Sequence, residues 1–223
     1  MAAALRVFAE KGYRRTQMAD VAREMGISPG TLYRYVAGKE ALFHLVIDRA
    51  FAPGRPPIPP ALPIGAPPPG ATLARLRERL AADTALPSLD AALRRTRVSD
   101  ARAELAAVVD ELYERIERAW PGIIVLERSA LEMPELAHVF YGEMRRSLLD
   151  RLERYLRARM RAGQLRRVPG PAAARFVLES IAWFAMHRHR DPLPPKLDDA
   201  AARAAATDLI VNALAGPGRH RKE

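Results

Sequence analysis

The side chains most capable of chemistry in this sequence are histidines and paired acidic residues, but their spacing argues against a catalytic or metal site. His187 and His189 are two residues apart, so on a helix they lie about 200° apart around the axis and cannot share one ion as an i, i+4 pair could. Asp198 and Asp199 precede an alanine-rich segment, where Asp198 is better explained as a helix N-cap. The absence of cysteine excludes thiolate metal sites and cysteine nucleophiles. We therefore expect no metal, no cofactor and no enzymatic activity.

Composition predicts an all-α protein with a basic surface. The 223 residues include 41 Ala and 26 Leu, which favours helix over strand. A net charge of +10 makes a polyanionic partner such as nucleic acid plausible, although a merely basic surface would give the same number. No apolar run approaches the roughly 20 residues of a membrane-spanning helix, and the N-terminus lacks the pattern of a signal peptide. We expect a cytoplasmic protein with no membrane partner.

The first 51 residues have the outline of a helix–turn–helix. An initial helix should end at Gly12, and Thr16 is expected to cap a second helix that stops at Gly26. Ser28 can cap a short third helix with Pro29 at its first position. In such a motif the second of the paired helices enters the DNA major groove. The exposed positions of that helix mix hydrogen-bonding groups with flat rings: Thr31, Tyr33, Arg34 and Tyr35.

The residues that fill this outline resemble the TetR family of bacterial transcriptional regulators. The resemblance extends over residues 4–50 and is carried by AEKGY at 9–13, Thr16, ADVA at 19–22, GISPGTLYRY at 26–35 and KEAL at 39–42. It implies all-helical homodimers, each subunit having an N-terminal three-helix DNA-binding domain and a C-terminal domain for dimerisation and small-molecule binding. A looser resemblance to one helical subset of the family's effector domains lies at residues 127–141.

Roles for individual residues follow from this resemblance by position. Tyr33 matches the family's phosphate-contacting tyrosine, and Lys39 matches a lysine that starts the fourth helix, where charge and helix amides meet phosphate. Met25, Val36 and the pair at 37–38 depart from the family's usual residues. The family's first helix usually extends further upstream, often with a basic arm, whereas this chain starts inside the corresponding region. The predicted DNA contacts are Thr16, Gln17, Ser28, Pro29, Gly30, Thr31, Tyr33, Arg34, Tyr35 and Lys39.

The rest of the chain divides by proline content. Nine prolines at 53–69 predict a linker or surface loop over 52–71, with a proline-rich docking site as the alternative. Residues 72–216 form the predicted effector-binding and dimerisation domain, and 217–223 a basic tail. Within the second domain, helices are predicted near 72–84, 87–97, 99–119, 122–132, 134–163, 171–189 and 198–215.

Two groups of apolar residues in this domain suggest binding surfaces. One could line a pocket for an apolar or aromatic effector, or simply fill the core; it comprises Tyr113, Trp120, Met133, Tyr141, Met144, Trp183, Met186 and His187. The other lies on broad apolar faces of the last two helices and predicts a homodimer interface, with internal burial in a monomer as the alternative; it comprises Phe176, Ile181, Phe184, Ala202, Ala205, Leu209 and Ala213.

The function predicted from these observations is a sequence-specific, double-stranded-DNA-binding repressor, released from a palindromic operator by a small effector. Two other classes stay open: a helical ligand carrier or enzyme with an incidental helix–turn–helix, and a regulator that has no effector. Salt-dependent DNA binding separates the first from a regulator, and a core without a cavity would favour the second.

Overall fold

The structure is a computed structural model that describes residues 1–51, 61–82, 85–193 and 196–215. Over these ranges the chain is helical, and the β-type pairing found there is limited to two isolated bridges. The α-helices are α1 (Ala2–Arg15), α2 (Met18–Glu24), α3 (Pro29–Tyr33), α4 (Lys39–Ala50), α5 (Ala71–Ala82), α6 (Pro87–Arg94), α7 (Ala101–Ala130), α8 (Pro134–Ala137), α9 (Arg146–Arg161), α10 (Gly170–Ala185) and α11 (Asp199–Leu214). A π-helical stretch, His138–Arg145, joins α8 to α9, and a short 3-10 helix, His187–Arg190, follows α10. Within the described ranges no helix is both long and apolar enough to cross a lipid bilayer.

These elements confirm the predicted all-α class and most predicted helices, with three main differences. The segment predicted as one helix over 134–163 is divided into α8, the π-helical stretch and α9. The helices predicted near 99–119 and 122–132 form one continuous helix, α7, and Pro121 between them lies inside it. The segment predicted as one helix over 171–189 ends its α-helical part at Ala185, and its last three residues belong to the 3-10 helix His187–Arg190. The predicted N-caps Ser28 and Asp198 are confirmed, since their side chains accept from the N–H groups of Thr31 and Ala201.

The chain forms two compact units whose boundaries differ from the predicted domains. The first comprises Met1–Thr84 and Ala119–Met144, and the second comprises Ala85–Arg118 and Arg145–Glu223. Residues beyond 72 join the first unit because Leu76, Val125 and Phe140 are buried in the same hydrophobic cluster as the first four helices. A boundary drawn from proline content alone could not anticipate this shared core. The predicted linker residues 52–60 and the basic tail lie outside the described residues.

A buried arginine joins three helices of the second unit. Arg159 of α9 is fully buried and donates to both carboxylate oxygens of Glu104, at 2.6 and 3.1 Å. Its remaining N–H groups donate to the carbonyls of Ala92 at 2.8 Å and Arg95 at 2.9 Å. These carbonyls lie at the end of α6, and that of Ala92 also accepts from the N–H of Arg95 at 3.3 Å. One side chain thus holds α6, α7 and α9 together while its own charge stays paired.

The corner between α1 and α2 depends on a glycine. Gly12 adopts φ 73° and ψ 177°, a conformation essentially restricted to glycine, and interrupts helical geometry inside α1. A Cβ at this position would lie 3.1 Å from the carbonyl oxygen of Arg128. Thr16, predicted to cap α2, is instead buried, and its hydroxyl donates to the Gly12 carbonyl at 2.7 Å. Gln17 occupies the N-cap position and forms a capping box with Asp20.

We expect Gly12→Ala to lower the free energy of unfolding by about 3 kcal/mol, because it combines backbone strain with a close contact to Arg128. Gly26→Ala is the matched control, since Gly26 has φ +68° but open space around its Cβ position. That substitution should cost about 1 kcal/mol from left-handed strain alone. Urea unfolding of both variants measures the difference, and equal losses would contradict the role assigned to the corner.

Candidate nucleic-acid interface

The α2–α3 pair is held by a buried apolar seam and a capped turn. Val21 of α2 and Leu32 of α3 belong to one hydrophobic cluster, with exposures of 0% and 3%. Gly26, at φ 68°, ends α2 with a left-handed residue, as the sequence predicted. Ser28 then accepts from the N–H of Thr31 at 3.1 Å, which satisfies one free donor at the start of α3. The orientation of this short helix is thereby fixed from both its buried side and its first turn.

The outer side of α3 and its C-terminal end form a polar and aromatic surface. Tyr33 is 47% exposed and Tyr35 53% exposed, and Arg34 between them is also exposed. Thr31 is half-buried, with its hydroxyl 2.9 Å from that of Ser28, so part of its hydrogen-bonding capacity is already used. The remaining predicted DNA contacts Gln17, Ser28, Pro29 and Gly30 are exposed, whereas Thr16 is buried. Apart from Thr16, all the predicted DNA contacts of the α2–α3 region are therefore exposed or half-buried.

An ion pair fixes the start of α2. Lys11 Nζ lies 2.9 Å from Asp20 Oδ1, and the backbone N–H of Gln17 donates to the other oxygen of Asp20 at 3.0 Å. The hydrogen bonds from Lys11 and Gln17 lower the pKa of Asp20 below its ordinary value. Because the charged form is favoured in the folded chain, this arrangement persists at neutral pH and is lost only as pH falls through the lowered pKa.

Lys39 lies at the first position of α4, as predicted, and is held against the end of α1. Its Nζ donates to the carbonyl of Arg14 at 3.0 Å and lies 4.8 Å from the centre of the Tyr13 ring. Burial, followed by the charge of Glu40, raises the pKa of Tyr13, so that ring stays neutral beneath the ammonium. The ammonium retains donor capacity beyond the Arg14 bond. Lys39 can therefore offer a positive charge near the helix N-terminus while also bracing two helices.

Sequence analysis missed Ile64, which pairs with the chain directly after α3. Its N–H donates to the carbonyl of Tyr35 at 2.9 Å, and its carbonyl accepts from the N–H of Ala37 at 2.9 Å. The side chain of Ile64 packs against the hydrophobic cluster of the first unit. The one available sequence signal was an isolated β-branched residue among prolines, which pattern analysis of a linker does not pick out.

The residues predicted to line an effector pocket fall in both compact units. Trp120, Met133, Tyr141 and Met144 belong to the first unit, and Tyr113, Trp183, Met186 and His187 belong to the second. Tyr113 and Met186 are buried, and the Tyr113 hydroxyl donates to the carbonyl of Phe184 at 3.2 Å. Tyr141 and Trp183 are exposed, whereas Trp120, Met133, Met144 and His187 are half-buried.

The residues predicted for a dimer interface divide by exposure. Phe176 and Leu209 are exposed at 42% and 56%, and Phe184, Ala205 and Ala213 are half-buried. Ile181 and Ala202 are fully buried within the second unit. These two side chains pack inside one chain, because α10 and α11 turn one face inward towards the core, and only the other five remain available to a second subunit.

Comparison with known proteins identifies the same two regions. The family model for bacterial regulatory proteins of the tetR family matches residues 1–46, and that for the C-terminal domain of AefR-like transcriptional repressors matches residues 125–215. The HTH-type transcriptional regulator UidR of Escherichia coli (strain K12) is 40% identical over 60 residues. That match covers 25% of this chain and 31% of UidR, so the chain matches less than a third of the length of this relative.

Solved structures share the fold over nearly the whole chain. PfmR, a TetR family regulator from Thermus thermophilus, has a TM-score of 0.56 at 21% identity, covering 97% of this chain and 94% of its own. AibR, solved in complex with isovaleryl coenzyme A and operator DNA, has a TM-score of 0.51 at 19% identity, covering 96% and 95%. At these identities the similarity establishes the fold. Taken with the two family models and the helix–turn–helix geometry, it shows that this chain belongs to the TetR family of helix–turn–helix transcriptional regulators.

Proposed function

We propose that this regulator is a repressor that binds a palindromic operator in double-stranded DNA as a homodimer and is released by a small apolar or aromatic effector. The observation that carries the proposal is the exposed set Tyr33, Arg34 and Tyr35, at and directly after the end of a helix whose opposite side is buried. Rings, a guanidinium and hydroxyls on a rigid support suit both phosphate and base edges. The match of the C-terminal region to AefR-like repressors supports repression over activation.

The proposed DNA contacts separate into two classes. The Tyr33 hydroxyl, the Lys39 ammonium and the side chain of Gln17 are suited to phosphates, which set affinity and register without reading sequence. Arg34 and Thr31 are suited to base edges in the major groove. Thr16 leaves the set of direct contacts, since its buried hydroxyl is bonded to Gly12; its proposed role is to orient α2.

A two-fold dimer would supply the second reading helix. Half-sites of a palindrome lie about one DNA turn apart, on the order of 34 Å, so two copies of α3 must be held at that spacing. The proposed interface uses Phe176 on α10 and Leu209 on α11, which are exposed apolar side chains. Half-buried Ala205 and Ala213 on α11 would allow the backbones of facing helices to approach closely.

The effector would act by preferring one arrangement of the dimer. A ligand that binds more tightly to a state with the wrong spacing of reading helices draws the population away from the DNA-bound state. The candidate residues are mainly aromatic and thioether side chains, which suit a flat or acyl ligand. AibR was solved with isovaleryl coenzyme A, and this compound is therefore a reasonable first probe for the present chain.

Selection from random duplex DNA should enrich one palindromic sequence, with an affinity that falls steeply with salt. Tyr33→Phe should weaken binding to the selected and to a scrambled duplex alike, about fivefold, because it removes one hydroxyl from phosphate. Arg34→Ala should weaken binding to the selected duplex by about tenfold more than to the scrambled one. Arg146→Ala removes the same charge from an exposed position at the start of α9 and serves as control. Enrichment no better than random, or equal effects of the two arginine variants, would reject the proposal.

Leu209→Glu should convert the dimer into a monomer and abolish operator binding at the same protein concentration, because it places a charge in an apolar interface. Leu131→Glu is the matched control, since Leu131 is 71% exposed and belongs to the first unit. Light scattering at micromolar concentration measures the mass. A mass near the 24.7 kDa of one chain for the unmodified protein would contradict the dimer.

Isovaleryl coenzyme A or a fatty acid such as palmitate should change tryptophan emission and, over the same concentration range, release the selected duplex. The chain has two tryptophans, so Trp120→Phe and Trp183→Phe each leave one reporter and locate the change. Sucrose at equal concentration serves as a polar control. An emission change without any loss of operator affinity would show binding that does not regulate, and would contradict the effector role.

A further inference from the structure

Ile64 pairs through its backbone with the chain that directly follows α3. Ile64 forms an isolated parallel bridge with Val36, in which its N–H and carbonyl bond to Tyr35 and Ala37, each at 2.9 Å. We call these paired backbone groups the Ile64 clip. It lies wholly within the first compact unit.

The clip holds the chain that directly follows α3. A five-residue helix has few internal bonds to hold its end, and Tyr35 lies two residues beyond its last residue, Tyr33. The N–H of Ile64 supplies a donor to the carbonyl of Tyr35. Its carbonyl in turn takes up the N–H of Ala37, in the turn that leads into α4.

The clip acts where exposed and buried side chains alternate. Val36 is 4% exposed, whereas Tyr35 before it is 53% exposed. Fixing the backbone on both sides of Val36 therefore fixes the direction in which Tyr35 leaves the surface. The side chain of Ile64 adds apolar packing against the same cluster that holds Leu32.

We propose that Ile64 is a positioning residue for DNA recognition, and that its backbone clip fixes the orientation of the chain at the C-terminal end of α3. The inference rests on the proposed DNA-binding function and adds to it a requirement from outside the helix–turn–helix. Loss of the clip should leave contacts to phosphates largely intact and reduce discrimination between base sequences. The reason is that the C-terminal end of α3 becomes free to shift.

Ile64→Pro tests this directly, because proline has no N–H to donate to Tyr35. We expect the ratio of affinities for selected and scrambled duplex to fall about fivefold, with non-specific affinity retained. Ile64→Val keeps both backbone bonds and the β-branch, and Ile64→Ala keeps the bonds but removes most of the packing. Gly65→Ala, where a Cβ meets no atom within 4 Å, controls for any change in the segment. All three should keep the ratio within about twofold of the unmodified protein.

The thermal unfolding midpoint of each variant separates an effect on the orientation of the DNA-contacting residues from an effect on stability. A lower midpoint for Ile64→Pro with an unchanged affinity ratio would overturn the proposal, and so would an equal loss of ratio in Ile64→Ala. Hydrogen exchange on the unmodified protein tests the clip even where the proline variant does not fold. The amides of Ile64 and Ala37 should exchange at least about tenfold more slowly than unstructured amides, and unprotected amides would overturn the clip. Absence of any sequence preference in the unmodified chain, with these amides protected, would instead reject the proposed function.

Discussion

The proposed DNA-reading surface depends on the apolar side of α3 being buried in the core of the first unit. A five-residue helix is far too short to be stable alone, so its form is imposed by Leu32 and the following Val36 entering the core of the first unit. Burying a side chain such as Leu32 contributes about 1.5–3 kcal/mol, more than the roughly 1 kcal/mol of the Ser28 cap. The apolar seam therefore decides where the helix lies, and the cap decides where it begins.

Around this seam the chain uses polar contacts to fix angles. The hydroxyl of Thr16 bonds the Gly12 carbonyl, and Lys39 reaches the carbonyl of Arg14. The first bond closes the end of α1 at the corner that leads into α2, and the second joins α4 to the end of α1. Such bonds contribute little net stability compared with apolar burial, but they restrict orientation, and orientation is what a DNA-reading helix requires.

The second unit is held together by a buried charged side chain, whose burial costs more free energy than that of an apolar one. Desolvating Arg159 is unfavourable, and the cost is offset only because Glu104 and backbone carbonyls satisfy its donors together. Two other helices of this unit, α10 and α11, carry the exposed apolar side chains Phe176 and Leu209. A core specified by a buried ion pair, with an apolar outer face, is an arrangement that suits association with a second subunit.

Local sequence signals determined the helix class, the caps at Ser28 and Asp198, the stop at Gly26 and the family, because each depends on residues within a few positions of one another. The exposed residues of α3 were also predictable, since a short capped helix with one apolar face leaves few alternatives. Tertiary structure alone decided that Thr16 is buried, that Pro121 lies within a helix and that residues 119–144 share a core with the N-terminal helices. It also decided the pairing of Ile64 with the end of α3. These features join residues far apart in the chain, and their geometry is set by which surfaces meet in the folded core, which no local spacing encodes.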